Sequence, residues 1–210
     1  MAEKLRQQLI NDTRLIHVDD PGSKKPAKRA VGEIAKNALS TARYSSLFNR
    51  IITRYKCKNI IELGTSFGIN TLYLAADPSV NVVTIEGSKA IAEIGSLTLQ
   101  FAGAKNIKLL EENIDAALPA LLQTMRKVDF VFMDANHTCD ATVRYFKLLL
   151  KNIHHKSVIV VDDIHYSAGM ERAWKEIKDH PLVHSSADVY RCGILFFDPS
   201  LNKQHVILQF

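Results

Sequence analysis

Cysteine is scarce in this sequence: Cys57, Cys139 and Cys192 are three in 210 residues. They are odd in number and never in CxxC spacing, which argues against a disulfide framework and against a structural zinc site. No apolar run reaches the roughly 20 residues that cross a bilayer. Residues 1–20 open with a charged amphipathic pattern that lacks the apolar core of a signal peptide. A cytoplasmic protein with reduced thiols and no membrane partner is expected. Repeats, low-complexity tracts and long linkers are also missing, so residues 1–57 read as a helical cap and 58–210 as one compact unit.

What is present is a core-sized share of hydrophobic residues, 47%, and a net charge of +5. The charge is uneven. Residues 1–60 hold 13 Lys/Arg against 5 Asp/Glu, a balance of +8, and the remainder holds 14 against 17, a balance of −3. Such a basic segment attracts acidic partners, but Lys24, Lys25, Lys28 and Arg29 are not interleaved with aromatics as in a nucleic-acid surface. A solvated helical surface is the plainer reading, and no nucleic acid is expected as a partner.

Periodicity divides the chain near Lys58. Before it, Glu3–Ile10 and Lys28–Tyr55 read as helices separated by a loop at Asp19–Ser23. After it, β-rich runs at Asn59–Leu63, Asn81–Glu86, Asn106–Leu110, Val128–Asp134 and Ser157–Asp162 alternate with helical segments at 70–76, 89–104, 116–126 and 141–153. A helix around Met170–Lys178 follows. That alternation predicts an α/β fold with a Rossmann-like, doubly wound sheet. The last two runs, Tyr190–Phe197 and His205–Phe210, are joined too closely for a helical crossover and are expected to pair antiparallel.

Between the first β run and its helix lies Glu62-Leu63-Gly64-Thr65-Ser66-Phe67-Gly68. In open α/β sheets ligands collect at such carboxyl-terminal turns. Gly64 and Gly68 permit close backbone approach, and Glu86, about 20 residues on at the end of the next run, can accept hydrogen bonds from a ribose diol. The GxGxxG spacing of a dinucleotide site is broken here. Glu62, two residues before Gly64, would repel a pyrophosphate but suits a cationic ligand such as the methionyl end of S-adenosylmethionine.

On these residues the sequence resembles the class I S-adenosylmethionine-dependent methyltransferases, in the small-molecule O-methyltransferase branch, over most of the chain from Lys58. The resemblance implies a seven-stranded sheet, mostly parallel, with an antiparallel C-terminal strand inserted between the fifth and sixth. It implies cofactor contacts from Glu62, Gly64, Thr65, Ser66, Gly68, Glu86, Gly87, Ser88 and Asp134, with Asn113 beside the adenine.

Two further stretches, VDFVFMDANHT at 128–138 and VIVVDDIHYSAGMERAW at 158–174, each run from an apolar strand into acid. Asp134, Asp162 and Asp163 then sit on neighbouring strand ends and repel one another unless a cation, protons or donors compensate. Oxygen ligands suit magnesium or another hard divalent ion; simple caps and hydrated turns are the alternative. Metal-dependent O-methyltransferases of the catechol and sugar-modifying types carry acids at these places, so by resemblance the three are metal ligands. His137 stands where the catechol type has a lysine, while Asn136 stands where sugar-modifying relatives have an acid. His137 and His165 are the candidate bases. Tyr166, Trp174 and Tyr190 offer aromatic walls, although Trp174 lies at helical spacing with Met170 and Ile177 and fits a core position better.

The implied activity is methyl transfer to a hydroxyl of a small molecule. Metal-free transfer with a histidine base, nucleic-acid methylation and non-catalytic cofactor binding are the alternatives, and a dehydrogenase ranks below them. A homodimer is plausible from the edge strand and N-terminal helices.

Overall fold

The computed structural model describes residues 1–18 and 27–209. The expected loop at Asp19–Ser23, Lys24, Lys25 and the terminal Phe210 lie outside the described residues. Contacts divide the chain into two compact units, Met1–Lys56 with Gly64–Ala117 and Cys57–Leu63 with Leu118–Phe210.

The first unit opens with α1 (Ala2–Ile10), then a hairpin of β1 (Leu15–Val18) and β2 (Ala27–Ala30), then α2 (Val31–Ala38) and α3 (Ala42–Tyr55). The single helix expected over Lys28–Tyr55 is thus two helices preceded by a strand. Residues 27–30 are drawn into antiparallel pairing with Leu15–Val18, and Leu39 at the end of α2 turns extended. The non-local strand partner overrides local helical propensity. Next come α4 (Ile69–Leu74), β4 (Asn81–Glu86), α5 (Lys89–Phe101) and β5 (Ile107–Glu111), with β4 and β5 parallel. One apolar cluster joins Leu9, Val31, Ile34 and Leu39 to Phe67, Ile69 and Ile94. The N-terminal helices therefore pack on the very turn that sequence singled out.

The second unit holds β3 (Asn59–Leu63), most of α6 (Ile114–Thr124), β6 (Phe130–Met133), α7 (Cys139–Leu149), β7 (Val158–Val161), α8 (Ala168–Lys178), β8 (Ser185–Asp188), β9 (Gly193–Phe196) and β10 (Gln204–Ile207). Its strands lie in the order β10-β8-β9-β7-β6-β3. β3, β6 and β7 are parallel, and their apolar runs are almost wholly buried, as strands covered on both faces must be. β9 runs antiparallel between β7 and β8, which is the inserted strand that the resemblance implied.

The expected hairpin of the last two strands is not formed. β10 instead pairs parallel with β8, a short polar strand, Ser-Ser-Ala-Asp, that carries no apolar alternation to betray it. Apart from the hairpin the described residues form eight strands rather than seven. The additional one is β10, whose Ile207 is exposed. The fold remains α/β, Rossmann-like and mostly parallel.

Trp174 lies in the core of the second unit, as its spacing suggested. Its indole covers the backbone of β9: a Cβ at Gly193 would overlap Cη2 and Cζ3 and come within 2.8 Å of Cε3. Only glycine leaves room there.

All three cysteines are free, Cys57 and Cys192 buried and Cys139 partly exposed. Burial first, then the nearby Asp129 charge, pushes the Cys57 thiol up to about 12, and burial pushes Cys192 up as well. Since the thiolate is the reactive form, a thiol reagent such as Ellman's is expected to modify one site per native chain, Cys139, and all three after denaturation. Rapid native modification of three sites would contradict this packing.

Candidate active site

In the first unit, three residues of five adopt left-handed backbone: Gly64 at φ 94°, Ser66 at 49° and Gly68 at 79°. Glycine takes this conformation without strain, whereas Ser66 requires support. The support is Glu86. One carboxylate oxygen accepts from the Ser66 N–H at 2.9 Å, and the other accepts from the Ser88 N–H at 2.9 Å. The Gly64 N–H donates to the Ile85 carbonyl at 3.0 Å, and the Thr65 and Thr84 hydroxyls meet at 2.6 Å. A single strand-end acid thus braces both the glycine turn and the loop that opens α5.

Burial raises the Glu86 carboxyl above its ordinary value, while N–H donors from Ser88, Ser66 and Gly87 act in the opposite sense. The three donors take three of the carboxylate's roughly four lone-pair sites, so the acid can hold the turn and still accept one bond from a ligand. Gly95 on α5 completes the cradle, because a Cβ there would lie 2.9 Å from the Ser66 carbonyl oxygen. Nothing in the local sequence flags Gly95; a glycine inside a helical pattern is the available hint. Asn113 is exposed, and its side-chain oxygen accepts from the Asp115 N–H at 2.8 Å, starting α6.

In the second unit the strand ends gather the acids. The Asp134 N–H donates to the Leu63 carbonyl at 2.8 Å and the Asp162 N–H to the Met133 carbonyl at 2.9 Å. This fixes Asp134 and Asp162 at adjacent carboxyl-terminal ends. Glu62 is fully buried on β3. His137 lies between two of the acids, with Nε2 at 3.5 Å from Asp134 Oδ1 and Nδ1 at 3.9 Å from Asp163 Oδ2. Asp134, His137 and Asp163 each offer a ligand atom within 4.8 Å of the others.

Asp162 is placed differently. It is 1% exposed, and the Arg191 guanidinium donates to it from Nε at 3.1 Å to both oxygens and from the second nitrogen, Nη2, at 2.8 Å. Arg191 Nε also lies 3.8 Å from Asp163 Oδ1. Desolvation raises the Asp134 carboxyl well above its usual range, and the Asp162 charge adds to this while Arg191 opposes it. Asp162 is raised too, chiefly by burial, against the Arg191 hydrogen bonds. The guanidinium is itself held more firmly protonated by Asp162, although burial alone would act the other way.

His165 is less free to serve as a base. Its Nε2 meets Asp188 Oδ2 at 2.8 Å and its Nδ1 lies 3.5 Å from Glu171 Oε1. Both nitrogens face carboxylates, and these partners raise its pKa despite the opposing desolvation. Asn136 donates to the Tyr145 hydroxyl at 2.5 Å. Asn136, Asp163 and Tyr190 are all left-handed, at φ 62°, 52° and 72°, and non-glycine residues in that region concentrate at functional sites. The exposed Tyr166 ring sits 5.8 Å from the His137 ring, and the exposed Tyr190 ring 6.3 Å from that of His165.

Residues 61–164 match the family model described as a methyltransferase domain. The matched stretch starts in β3 and takes in the glycine turn, Glu86, Asn113, Asp134, His137, Asp162 and Asp163. His165 and Arg191 fall beyond it. None of the curated proteins searched matches the sequence.

Solved structures that this chain resembles share its fold at low identity. The cofactor-bound protein Rv0187 from MTB aligns with a TM-score of 0.74 at 19% identity, over 93% of this chain and 89% of its own. The SAH-bound methyltransferase PaMTH1 of Podospora anserina gives 0.69 at 16%, over 94% and 95%. The O-methyltransferase TomG of Streptomyces achromogenes, in complex with SAM and involved in tomaymycin synthesis, gives 0.65 at 23%, over 77% and 82%.

Arg191 is the residue of the acid cluster that sequence reading missed. The need for it was legible, since three clustered acids require compensation. Its position was not, because it lies 28 residues beyond Asp163 in the turn before β9.

Proposed function

We propose that this chain is an S-adenosylmethionine-dependent O-methyltransferase acting on a hydroxyl group of a small molecule. The observation that carries the reading is the two-sided brace made by Glu86 on the turn between β3 and α4. Such a brace leaves a carboxylate lone pair for a ribose hydroxyl while holding backbone groups for the rest of a nucleoside ligand. The SAM-bound TomG and SAH-bound PaMTH1, which share the fold, support this choice of cofactor.

In this reading Gly64, Thr65, Ser66 and Gly68 line the cofactor's amino-acid and ribose portions, with Glu86, Gly87 and Ser88 at the ribose and Asn113 near the adenine. Glu62 and Asp134 are the acids this reading assigns to the cofactor's cationic end. When bound, S-adenosylmethionine supplies an electrophilic methyl group: the acceptor oxygen bonds to the methyl carbon, the carbon–sulfur bond breaks, and its electron pair stays on sulfur. The cluster of Asp134, His137, Asp163 and Arg191 orients the hydroxyl and takes up its proton. Tyr166 and Tyr190 provide flat walls for the acceptor. Much of the rate comes from holding two reactants in line.

The cluster's donors also fit a divalent cation, with Asp134, His137 and Asp163 close enough to share one. Such an ion would lower the pKa of the acceptor hydroxyl. The set implied by resemblance, Asp134, Asp162 and Asp163 around magnesium, requires Asp162 to leave Arg191. The cytoplasm is the compartment we assign, supported by three free thiols. Described helices long and apolar enough to cross a membrane are absent.

The test is direct. Calorimetry with S-adenosylmethionine is expected to show saturable binding, and labelled methyl groups are expected to appear on members of a panel of phenols, sugars and other hydroxylated acceptors. Failure to bind the cofactor would overturn the reading. Tight binding without transfer to any acceptor would favour a cofactor-binding module, and steeply salt-dependent affinity for RNA or DNA would favour a nucleic-acid substrate.

A further inference from the structure

We infer that His137 is a ligand to a divalent cation together with Asp134 and Asp163, and that Arg191 withholds Asp162 from that ion. The inference rests on the functional reading above and departs from the ligand set that resemblance implied.

Three observations carry it. First, Asp162 is already spent. Its two oxygens receive three hydrogen bonds from Arg191 at 2.8–3.1 Å, and only 1% of the residue is exposed. Freeing that carboxylate for a metal would strip a half-buried guanidinium of its main partner, a costly step. Second, the imidazole stands where the third ligand is needed. Bonds of about 2.1 Å place neighbouring ligand atoms about 3.0 Å apart in an octahedral shell and about 3.4 Å apart in a tetrahedral one. His137 Nε2 is 3.5 Å from Asp134 Oδ1, and its Nδ1 is 3.9 Å from Asp163 Oδ2. Small rotations of partly exposed side chains bring one imidazole nitrogen and two carboxylate oxygens onto a common ion. Third, the charges permit it. Three aspartates and one arginine leave a formal balance of −2, which a divalent cation cancels.

The donor chemistry sets the choice of probe. Two carboxylates and an imidazole form a mixed oxygen–nitrogen set, and imidazole suits first-row transition ions, whereas magnesium favours oxygen and water. An all-aspartate set would also accept Mn2+, so the imidazole is read from its nitrogen and not from the order of the two ions. His137 then acts by binding the ion rather than by receiving the acceptor's proton.

The experiment uses the full chain freed of metal by chelation, titrated with MnCl2 and separately with MgCl2. Mn2+ is expected to bind at one site. Pulsed electron paramagnetic resonance of the Mn2+ form is expected to show coupling to an imidazole nitrogen, lost in His137→Ala. Because removing even an outer-shell partner typically costs about 10- to 100-fold in affinity, His137→Ala is expected to lose at least about ten-fold for Mn2+. Asp162→Asn, which keeps a carbonyl acceptor for Arg191 but removes one charge from the cluster, is expected to lose less than His137→Ala and to keep the imidazole coupling.

Absence of nitrogen coupling in the unmodified protein overturns the inference without reliance on any variant. So does a large loss in Asp162→Asn with none in His137→Ala, and so does failure of both ions to bind. Cofactor binding measured on the same samples separates the two levels: retained affinity for S-adenosylmethionine leaves the methyltransferase reading standing when the metal site fails.

Discussion

Glu86→Ala is expected to weaken S-adenosylmethionine binding by about 2–4 kcal/mol, since hydrogen bonds to a charged group contribute about 1.5–3 kcal/mol each. That corresponds to roughly a 30- to 800-fold rise in dissociation constant. The structure adds a second route to the loss. Without the carboxylate, the Ser66 and Ser88 N–H groups lose their acceptor, and Ser66 loses what holds it in left-handed backbone. Glu86→Gln offers one acceptor oxygen and turns an amide N–H2 toward the other donor, so it is expected to recover little. Calorimetry gives the affinity, and amide hydrogen exchange at Ser66 and Ser88 reports the turn. A folded Glu86→Ala protein with parental affinity would rule out the ribose assignment.

Arg191→Met is expected to destabilise the fold by about 3–5 kcal/mol, the usual cost of breaking a buried ion pair from one side. The loss should depend on pH with a definite sign. Asp134 and Asp162 already have raised carboxyl pKa values in the folded protein, and Arg191 is the charge that opposes the rise. Removing it raises both further. A carboxyl whose folded pKa exceeds its unfolded value favours the fold while protonated and loses that advantage as pH climbs above about 4, where the unfolded chain ionises. The gap in melting temperature between the parent and Arg191→Met should therefore widen from acidic to neutral pH. A gap that is constant or narrows would show that Arg191 acts by packing rather than by charge.

The legible parts of the molecule were those dictated locally. The strands Asn59–Leu63 and Asn81–Glu86 were read to the residue, because both are apolar runs closed by a sharp turn or an acid. The cradle residues were readable for the same reason: two glycines and a strand-end glutamate stand at fixed chain separations. What escaped was non-local. The β1–β2 hairpin exists because Leu15–Val18 meets Ala27–Ala30, and neither stretch alternates strongly enough to announce a strand. β8 is polar and short, so nothing foretold that it would take β10 as a parallel partner. Arg191 escaped because sequence separation conceals which cation answers which acid. Asp134, His137 and Asp163 were each singled out as candidates, but the division of labour between Asp162 and its neighbours depends on the position of one guanidinium.

The indole of Trp174 lying over the bare backbone of Gly193 joins two positions that are 19 residues apart. Neither can change size alone. A side chain at 193 needs volume that the indole occupies, and a smaller residue at 174 leaves a void over β9 that nothing adjacent fills. In a library randomised at both sites, survivors should show a trade in volume, with larger residues at 193 recovered only beside smaller ones at 174. Lineages descended from this chain would then inherit the two positions as a correlated pair, although one is an aromatic on a helix and the other is no side chain at all.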